Sequence, residues 1–274
     1  MSGGAGERRR PLSRNVATLL LRHGVTAPTT PEVDPEPATS GKVSVTPDHG
    51  TAGAWGQWTV RYLVGEEPIE ELGGLRVQLP EAWHAGIRNS AFRLQASAPR
   101  EPNFVAASAS QPGVVVQTFV ELESDLAIDK GGRWSNLSDR AGYYSYVTRV
   151  IVRHGRLERG DTLSVTYGET AGGSRGFRTG INRAGPLPVL VAVDHGGTGI
   201  HRLHRDRPTL TLHAGPPADL FATAPSDAVV GEPFALRLAL VDEYANPAPA
   251  PAPGTRLALE VIEGVADVPA SVVV

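Results

Sequence analysis

Histidine and aspartate residues are concentrated in one short stretch of the sequence. The stretch VDHGGTGIHRLHRD contains Asp194, His195, His201, His204 and Asp206. Imidazole and carboxylate groups together can bind zinc or another divalent metal. However, residues three apart point to opposite sides of an extended strand, and GGTG is typical of a hairpin turn. We therefore predict surface histidines that flank a turn, and keep a metal site at Asp194, His195, His201 and His204 as the alternative.

A glycine-rich stretch, GETAGGSRG, contains one cation, Arg175, and raises the question of phosphate binding. A phosphate loop of the Walker type needs G-x-x-x-x-G-K-[ST] between a strand and a helix. This stretch has no lysine–serine pair, and GFRTGINRAGPLP, which overlaps its end, does not predict a helix. The glycines instead predict a connection in which the chain reverses after a strand.

Tryptophans suggest a second kind of binding site. Trp83 and Trp134 lie in loop-like surroundings, and exposed rings of this kind can stack on sugars in carbohydrate-binding modules. Trp58, Tyr144 and Tyr146 alternate with polar residues, so we assign them to the core, where buried aromatics dominate the packing energy. The sequence thus keeps Trp83 and Trp134 as candidate sugar-binding residues.

No catalytic residue is predicted from the remaining motifs. Acidic pairs such as Glu66–Glu67 and Asp242–Glu243 occupy turns or outward strand positions, where charges are normally solvated. Cysteine is absent, so a cysteine–histidine pair is impossible. The loop DEYANP offers oxygen atoms but lacks the ligand density of a calcium loop. We predict no cofactor.

Composition restricts the possible partners. The 274 residues include 26 basic and 29 acidic ones, a net charge of −3, which argues against a nucleic-acid partner. No apolar run approaches the roughly 18 residues of a membrane span. Without cysteine there are no disulfides. We predict no nucleic-acid and no membrane partner.

The first 40 residues predict a flexible tail and linker. The apolar run Val16–Leu21 is short and is broken by Arg22 and His23, which argues against a secretory signal and favours a cytoplasmic location over export. Ser13 is placed to cap one short helix that ends near Gly24. A stretch rich in proline and acidic residues, APTTPEVDPEPATSG, then reads as a linker.

From Lys42 onward, apolar residues recur with a period of two. QWTVRYLV and DTLSVTYG are clear cases, and other strand-like runs follow with turn signals between them. The apolar residues of these two runs are Trp58, Val60, Tyr62, Val64, Leu163, Val165 and Tyr167. Such alternation is typical of antiparallel strands with one wet face. We predict an all-β fold, with an antiparallel β-sandwich of the jelly-roll or immunoglobulin-like type over residues 41–215.

A second β unit is predicted over residues 216–274. FALRLAL places Phe234, Leu236, Leu238 and Leu240 on one face of a strand, and TRLALEV repeats the pattern. Only about 60 residues are available where an immunoglobulin-like domain needs roughly 100, and the sequence ends on PASVVV. We therefore expect a partial, truncated immunoglobulin-like sandwich, and infer that the chain is the front portion of something longer or a truncated gene product.

Three stretches resemble one known family. They are GQWTVRYLVGEEPIEELGGLRVQLPEAW, LERGDTLSVTYGETAGGSRGFRTG and APSDAVVGEPFALRLALVDEYANPAP, which together span 55–249. They are similar to the N-terminal region of large bacterial proteins, classed as a domain of unknown function, that carry a PHP-like metal-dependent hydrolase domain downstream. The last stretch also resembles bacterial immunoglobulin-like modules. The resemblance implies a catalytic domain beyond Val274 as an intramolecular partner.

Three hypotheses about function follow. The preferred one is a non-catalytic accessory module of a larger metal-dependent hydrolase. The alternative is a carbohydrate- or ligand-binding module that uses Trp83 and Trp134. A third possibility, a metal-binding enzyme in its own right, depends on the cluster between Asp194 and Asp206.

Overall fold

The protein is almost entirely β-structure. The computed structural model describes residues 37–80, 83, 94–122, 146–262 and 267–273. In this part of the chain one helical turn, α1 (Pro37–Ser40), precedes eighteen strands, and no helix is long and apolar enough to cross a membrane. The all-β prediction is confirmed. The predicted tail before residue 37 lies outside the described residues.

The first fourteen strands lie between residues 42 and 213. They are β1 (Lys42–Thr46), β2 (His49–Thr51), β3 (Trp55–Gly56), β4 (Trp58–Leu63), β5 (Gly74–Gln78), β6 (Val105–Ala109), β7 (Val115–Leu122), β8 (Tyr146–His154), β9 (Thr162–Tyr167), β10 (Phe177–Arg178), β11 (Ala184–Pro188), β12 (Leu190–Asp194), β13 (Arg202–Leu203) and β14 (Thr209–His213). The other four are β15 (Asp219–Thr223), β16 (Arg237–Val241), β17 (Arg256–Ala258) and β18 (Ser271–Val273).

Two main sheets enclose the core. One has the strand order β13-β12-β5-β8-β7 and the other β1-β4-β9-β6, and side chains of both sheets meet in a single apolar cluster. This is a β-sandwich, as predicted. Smaller sheets, β11-β14-β2 and β10-β3, contribute Leu210, Leu212 and Phe177 to the same cluster. The two main sheets are antiparallel, as predicted, and β14 and β2 of a smaller sheet pair in parallel.

The alternation predicted for β4 and β9 is confirmed. The two strands pair antiparallel, with Trp58 opposite Tyr167 and Leu63 opposite Thr162. Each apolar residue of the pattern is 4% exposed or less, while Arg61 on the other face is exposed. Successive Cβ atoms point to opposite faces of a strand, so a period of two in the sequence becomes one buried face.

The glycine-rich stretch 168–176 connects β9 to β10. Strand β10 pairs with β3, so the stretch carries the chain from one sheet to another. Its amides are used inside the loop: Ala171 N donates to Glu169 Oε1 (2.9 Å) and Gly176 N donates to Ser174 Oγ (3.2 Å). A phosphate cradle needs amides that point at the ligand. The loop is therefore a strand connection, as predicted.

The second unit consists of two-stranded ladders, β15–β16 and β17–β18. The prediction that Phe234 and Leu236 lie inward on a strand is wrong. Both precede β16 and are 53% and 43% exposed, because the described part of the chain places no opposing sheet over them. Leu238 and Leu240 lie within β16 and are half-buried. The boundaries proposed for the three segments of the chain remain predictions.

Truncation of a core side chain tests the predicted strand faces. Leu163→Ala should lower the free energy of unfolding by about 2–5 kcal/mol, because Leu163 is fully buried between the sheets. Thr162→Ala, the adjacent position on the other face, should change it by less than about 1 kcal/mol. Urea denaturation followed by tryptophan fluorescence measures both variants. Equal losses would contradict the assignment of faces.

Candidate functional site

The predicted metal cluster lies on the hairpin formed by β12 and β13. Val193 pairs with Arg202, so GGTG is part of a hairpin connection, as predicted. The Asp194 carboxylate accepts hydrogen bonds from Thr198 N (3.1 Å) and Gly199 N (2.6 Å). Both of its oxygens therefore hold the turn in place rather than a metal.

His195 and His204 lie on either side of one core tyrosine. Their rings contact Tyr62 edge to face, with centroids 6.3 Å and 5.8 Å from it. Both histidines are buried, so the prediction of surface positions is wrong for them. No group of three potential metal ligands is present among the described residues, and the four candidates Asp194, His195, His201 and His204 do not come together as a ligand set.

His204 takes part in a buried network that resembles a serine–histidine–aspartate triad. Its Nε2 lies 3.3 Å from Ser40 Oγ, and its Nδ1 lies 3.8 Å from Asp206 Oδ2. Asp206 Oδ2 also accepts a hydrogen bond from Val43 N (3.0 Å). The network joins the end of α1 and the start of β1 to the segment after β13. Sequence reasoning missed Ser40, which is 164 residues away and has no local signal.

The hydrogen bonding argues against a general-base role for His204 toward Ser40. Asp206 N donates to His204 Nδ1 at 3.0 Å, so in neutral His204 the proton is on Nε2 and is directed at Ser40. A general base needs the opposite arrangement, with Nε2 free to accept the serine proton. Ser40 is also only 1% exposed. We assign the network to structural attachment of the N-terminal segment.

The sugar-platform prediction is wrong for Trp83. Its ring is 2% exposed and packs edge-on against Trp58, with centroids 5.2 Å apart. A sugar cannot stack on a ring whose face is inside the core. Position 83 appeared loop-like because it lies outside a regular strand, which says nothing about burial. Trp134, Tyr143 and Tyr144 lie outside the described residues.

The turn after β16, residues 242–247 with the sequence DEYANP, contains a buried carboxylate. Asp242 is 2% exposed and accepts hydrogen bonds from Gly215 N (2.8 Å), Tyr244 N (2.9 Å) and Asn246 N (2.9 Å). Burial raises the pKa of Asp242, but the hydrogen bonds from Asn246, Gly215 and Tyr244 outweigh it and hold the pKa below its usual value. These donors leave no role for calcium.

Asn246 joins this turn to the sandwich. Its Nδ2 donates to Ile181 O (2.7 Å) and to Asp242 Oδ2 (2.9 Å), and its Oδ1 accepts from Arg183 N (2.8 Å). The side-chain amide thus hydrogen-bonds to the backbone ahead of β11 through both its donor and its acceptor, as the backbone of a neighbouring strand would. Asn246 is 6% exposed, so its side chain lies inside the joint between the turn and the sandwich.

Tyr244 makes the second contact across the same boundary. Arg178 Nη2 donates to the Tyr244 hydroxyl at 3.2 Å, and Arg178 Nε donates to Gly53 O at 3.2 Å. Gly53 has a φ of +73°, and a Cβ atom there would overlap the Tyr244 ring. The close approach therefore requires glycine. We call the surface where residues 242–247 meet the sandwich the docking seam.

A cleft of about 810 Å³ opens beside the docking seam. One wall is sandwich, from the start of β11 and the end of β14, and the other is the proline-rich segment that follows the turn. The lining residues used below are Arg183, Thr211, His213, Pro247 and Pro249. A smaller cavity of about 260 Å³ borders Asp194 and His195, whose described contacts are structural.

Comparisons with known proteins do not identify a family. No protein-family model matches the chain, and a search of curated proteins finds no match. Among solved structures, the chain is similar to one described as "AvmM Catalyzes Macrocyclization in Alchivemycin A Biosynthesis". The identity is 13%, covering 70% of this chain and 98% of that one, and the TM-score is 0.34. A likeness at this level carries no argument about function.

His201 provides a test of this description in solution. Burial and the nearby Arg76 lower the pKa of His201 to about 4, from an ordinary value of 6.5. Between these two pH values the unfolded chain takes up a proton at this position that the native chain does not. The free energy of unfolding should therefore fall as the pH is lowered from about 6.5 to about 4.

The matched variant is His201→Gln, which cannot titrate. Urea denaturation at pH 7.5 and pH 5 should show a smaller loss of stability on acidification in His201→Gln than in the unmodified chain. An NMR titration of the imidazole signals gives the pKa directly. A pKa near 6.5, or an identical acid loss in both proteins, would contradict the half-buried position beside Arg76.

Proposed function

We propose that this chain is a non-catalytic β module that fixes the position of a catalytic domain following it in a larger protein. The observation that carries the proposal is the docking seam. A module that only tethers a domain needs no specific contact between its units. A module that orients a domain needs a defined joint between them.

The seam has the features of such a joint. Asn246 uses its donor and its acceptor together, so sliding of the second unit would break bonds to Ile181 and Arg183 at once. Buried polar groups left unpaired cost about 1–3 kcal/mol each. The Tyr244 ring packs closely over Gly53, so the fit of the two surfaces restricts the orientation as well. The arrangement therefore favours one orientation.

The non-catalytic part of the proposal is supported by how the candidate residues are used. Asp194 holds a turn, and His204 holds the N-terminal segment. Such residues form catalytic sites when they converge on an accessible space. In the described part of the chain they do not converge.

The identity of the oriented domain comes from the sequence resemblance alone. We propose that it is a PHP-like metal-dependent hydrolase domain beyond Val274, with its metal ligands in that domain. We propose further that residues 216–274 belong to an immunoglobulin-like unit, in which DEYANP ends a strand as it does in bacterial modules of that type. We do not propose sugar binding by Trp83, because its ring is buried.

Distance measurements test the joint. The chain has no cysteine, so spin labels at Arg61→Cys in β4 and Thr223→Cys in β15 report one distance between the units. Both positions are exposed. Double electron–electron resonance should give a single narrow distribution. Adding Asn246→Ala should broaden it, because the bonds to Ile181 and Arg183 are lost.

Glu243→Ala is the matched control, since Glu243 is an exposed residue of the same turn. It should leave the distribution narrow. A second pair of variants tests the shape of the docking seam separately from its hydrogen bonds. Gly53→Ala displaces the Tyr244 ring. Gly160→Ala is its control, because Gly160 has a similar positive φ but open space around it. A broad distribution in the unmodified chain would overturn the proposal.

An activity assay tests the absence of catalysis. The purified chain should not hydrolyse p-nitrophenyl phosphate above the buffer rate with Mn²⁺ or Zn²⁺, because the candidate ligands are engaged elsewhere. Turnover by the chain would contradict the proposal. If His201→Gln then abolished that turnover, the activity would belong to the cluster between Asp194 and Asp206.

A further inference from the structure

We propose that the cleft beside the docking seam binds a small ligand through an oxyanion, with Arg183 as the principal contact. This inference rests on the docked arrangement of the proposed function, because both units form the cleft. Ligand sites occur preferentially between domains and commonly measure 300–1,000 Å³. The cleft, at about 810 Å³, is in this range.

Arg183 is held at the cleft by its surroundings. Its backbone N donates to Asn246 Oδ1, and its guanidinium Nη1 donates to Pro247 O at 3.3 Å. Within the described part of the chain, Arg183 forms no ion pair with a carboxylate, whereas Arg156 and Arg159 pair with glutamates. An exposed, oriented guanidinium is a fork that matches a carboxylate or a phosphate in two parallel hydrogen bonds.

Histidine side chains add further polar groups to the wall of the cleft that the sandwich forms. His213 lines the cleft, and the His49 ring lies 6.0 Å from it, centroid to centroid. His49 Nδ1 in turn lies 2.8 Å from Asp48 Oδ1, which orients that ring. His213 can donate a second hydrogen bond to an oxyanion near Arg183. Thr211 also lines the cleft.

The opposite wall is apolar and shaped by proline. Pro247, Ala248 and Pro249 form it, and proline has a fixed φ and no N–H group. Such a wall accepts the carbon skeleton of a ligand and offers few hydrogen bonds of its own. A compact organic acid therefore fits the two walls together, with its oxyanion on Arg183 and its carbon skeleton against the prolines.

Binding and docking are coupled in this arrangement. A ligand that contacts both walls binds only the docked state, so it must stabilise that state, and docking must strengthen binding by the same factor. The ligand would hold the two units in the docked state. The docking seam would then orient the second unit, and ligand binding would regulate that docking.

The experiment uses the complete chain, labelled with ¹⁵N, and three probes. D-glucuronate carries a carboxylate, D-glucose is the neutral control, and sodium phosphate is the inorganic oxyanion. Glucuronate should shift the amide signals of Arg183, Thr211 and Ala248 with saturation, and glucose should not. Arg183→Gln should weaken binding by roughly tenfold or more, the size expected for a charge-assisted hydrogen bond. Arg207→Gln, an exposed arginine away from the cleft lining, should leave binding unchanged.

The outcomes separate this inference from the proposed function. Phosphate binding with the same dependence on Arg183 supports the oxyanion site and assigns it to a phosphate group. No saturable shift with either anion, equal shifts with glucose, or full binding by Arg183→Gln overturns the site. Spin-label distances in Arg183→Gln decide whether docking persists, because that variant keeps the backbone bond to Asn246. In the unmodified chain, a narrow distance distribution without anion binding overturns the binding site and leaves the docked joint standing.

Discussion

A buried carboxylate must have its charge satisfied by hydrogen-bond donors, and Asp242 places that requirement at the boundary between the two β units. The sandwich has its own core and does not need Asp242 to fold. The position of everything after β16 does depend on it, because Gly215, Tyr244 and Asn246 supply the donors and two of these residues also contact the sandwich. The polar joint thus substitutes for the large apolar interface that commonly fixes two domains.

Much of the sandwich could be predicted because its signal is local. In β4 and β9 each buried residue is two positions from the next, so a short window contains the whole pattern. The same rule failed at Phe234 and Leu236, where the alternation is present but no second sheet covers it. A period of two shows that a face can be buried. It does not show that a partner for that face exists in the chain.

The candidate site was less predictable, for a related reason. The sequence cluster from Asp194 to Asp206 is real, but His195 and His204 contact Tyr62, and His204 also contacts Ser40; both partners come from distant parts of the chain. Burial is a property of those long-range contacts. The docking seam had a weak sequence signal, the DEYANP turn, and nothing local indicated that Gly53 and Arg183 would meet it. Asp194 and His204 make structural contacts, and the proposed binding surface lies between elements that are distant in the sequence.

The two-stranded ladders of the second unit have a consequence for how the molecule opens. Such ladders are marginally stable alone, and Phe221 in β15 is 58% exposed. Local opening free energies within one protein range from near zero to the global value. In hydrogen exchange, the amides of β15–β18 therefore belong to the first part of the molecule to open. The amides of Tyr244 and Asn246 belong with the sandwich. The cooperative unit of the sandwich thus includes the turn 242–247, which the sequence assigns to the second unit.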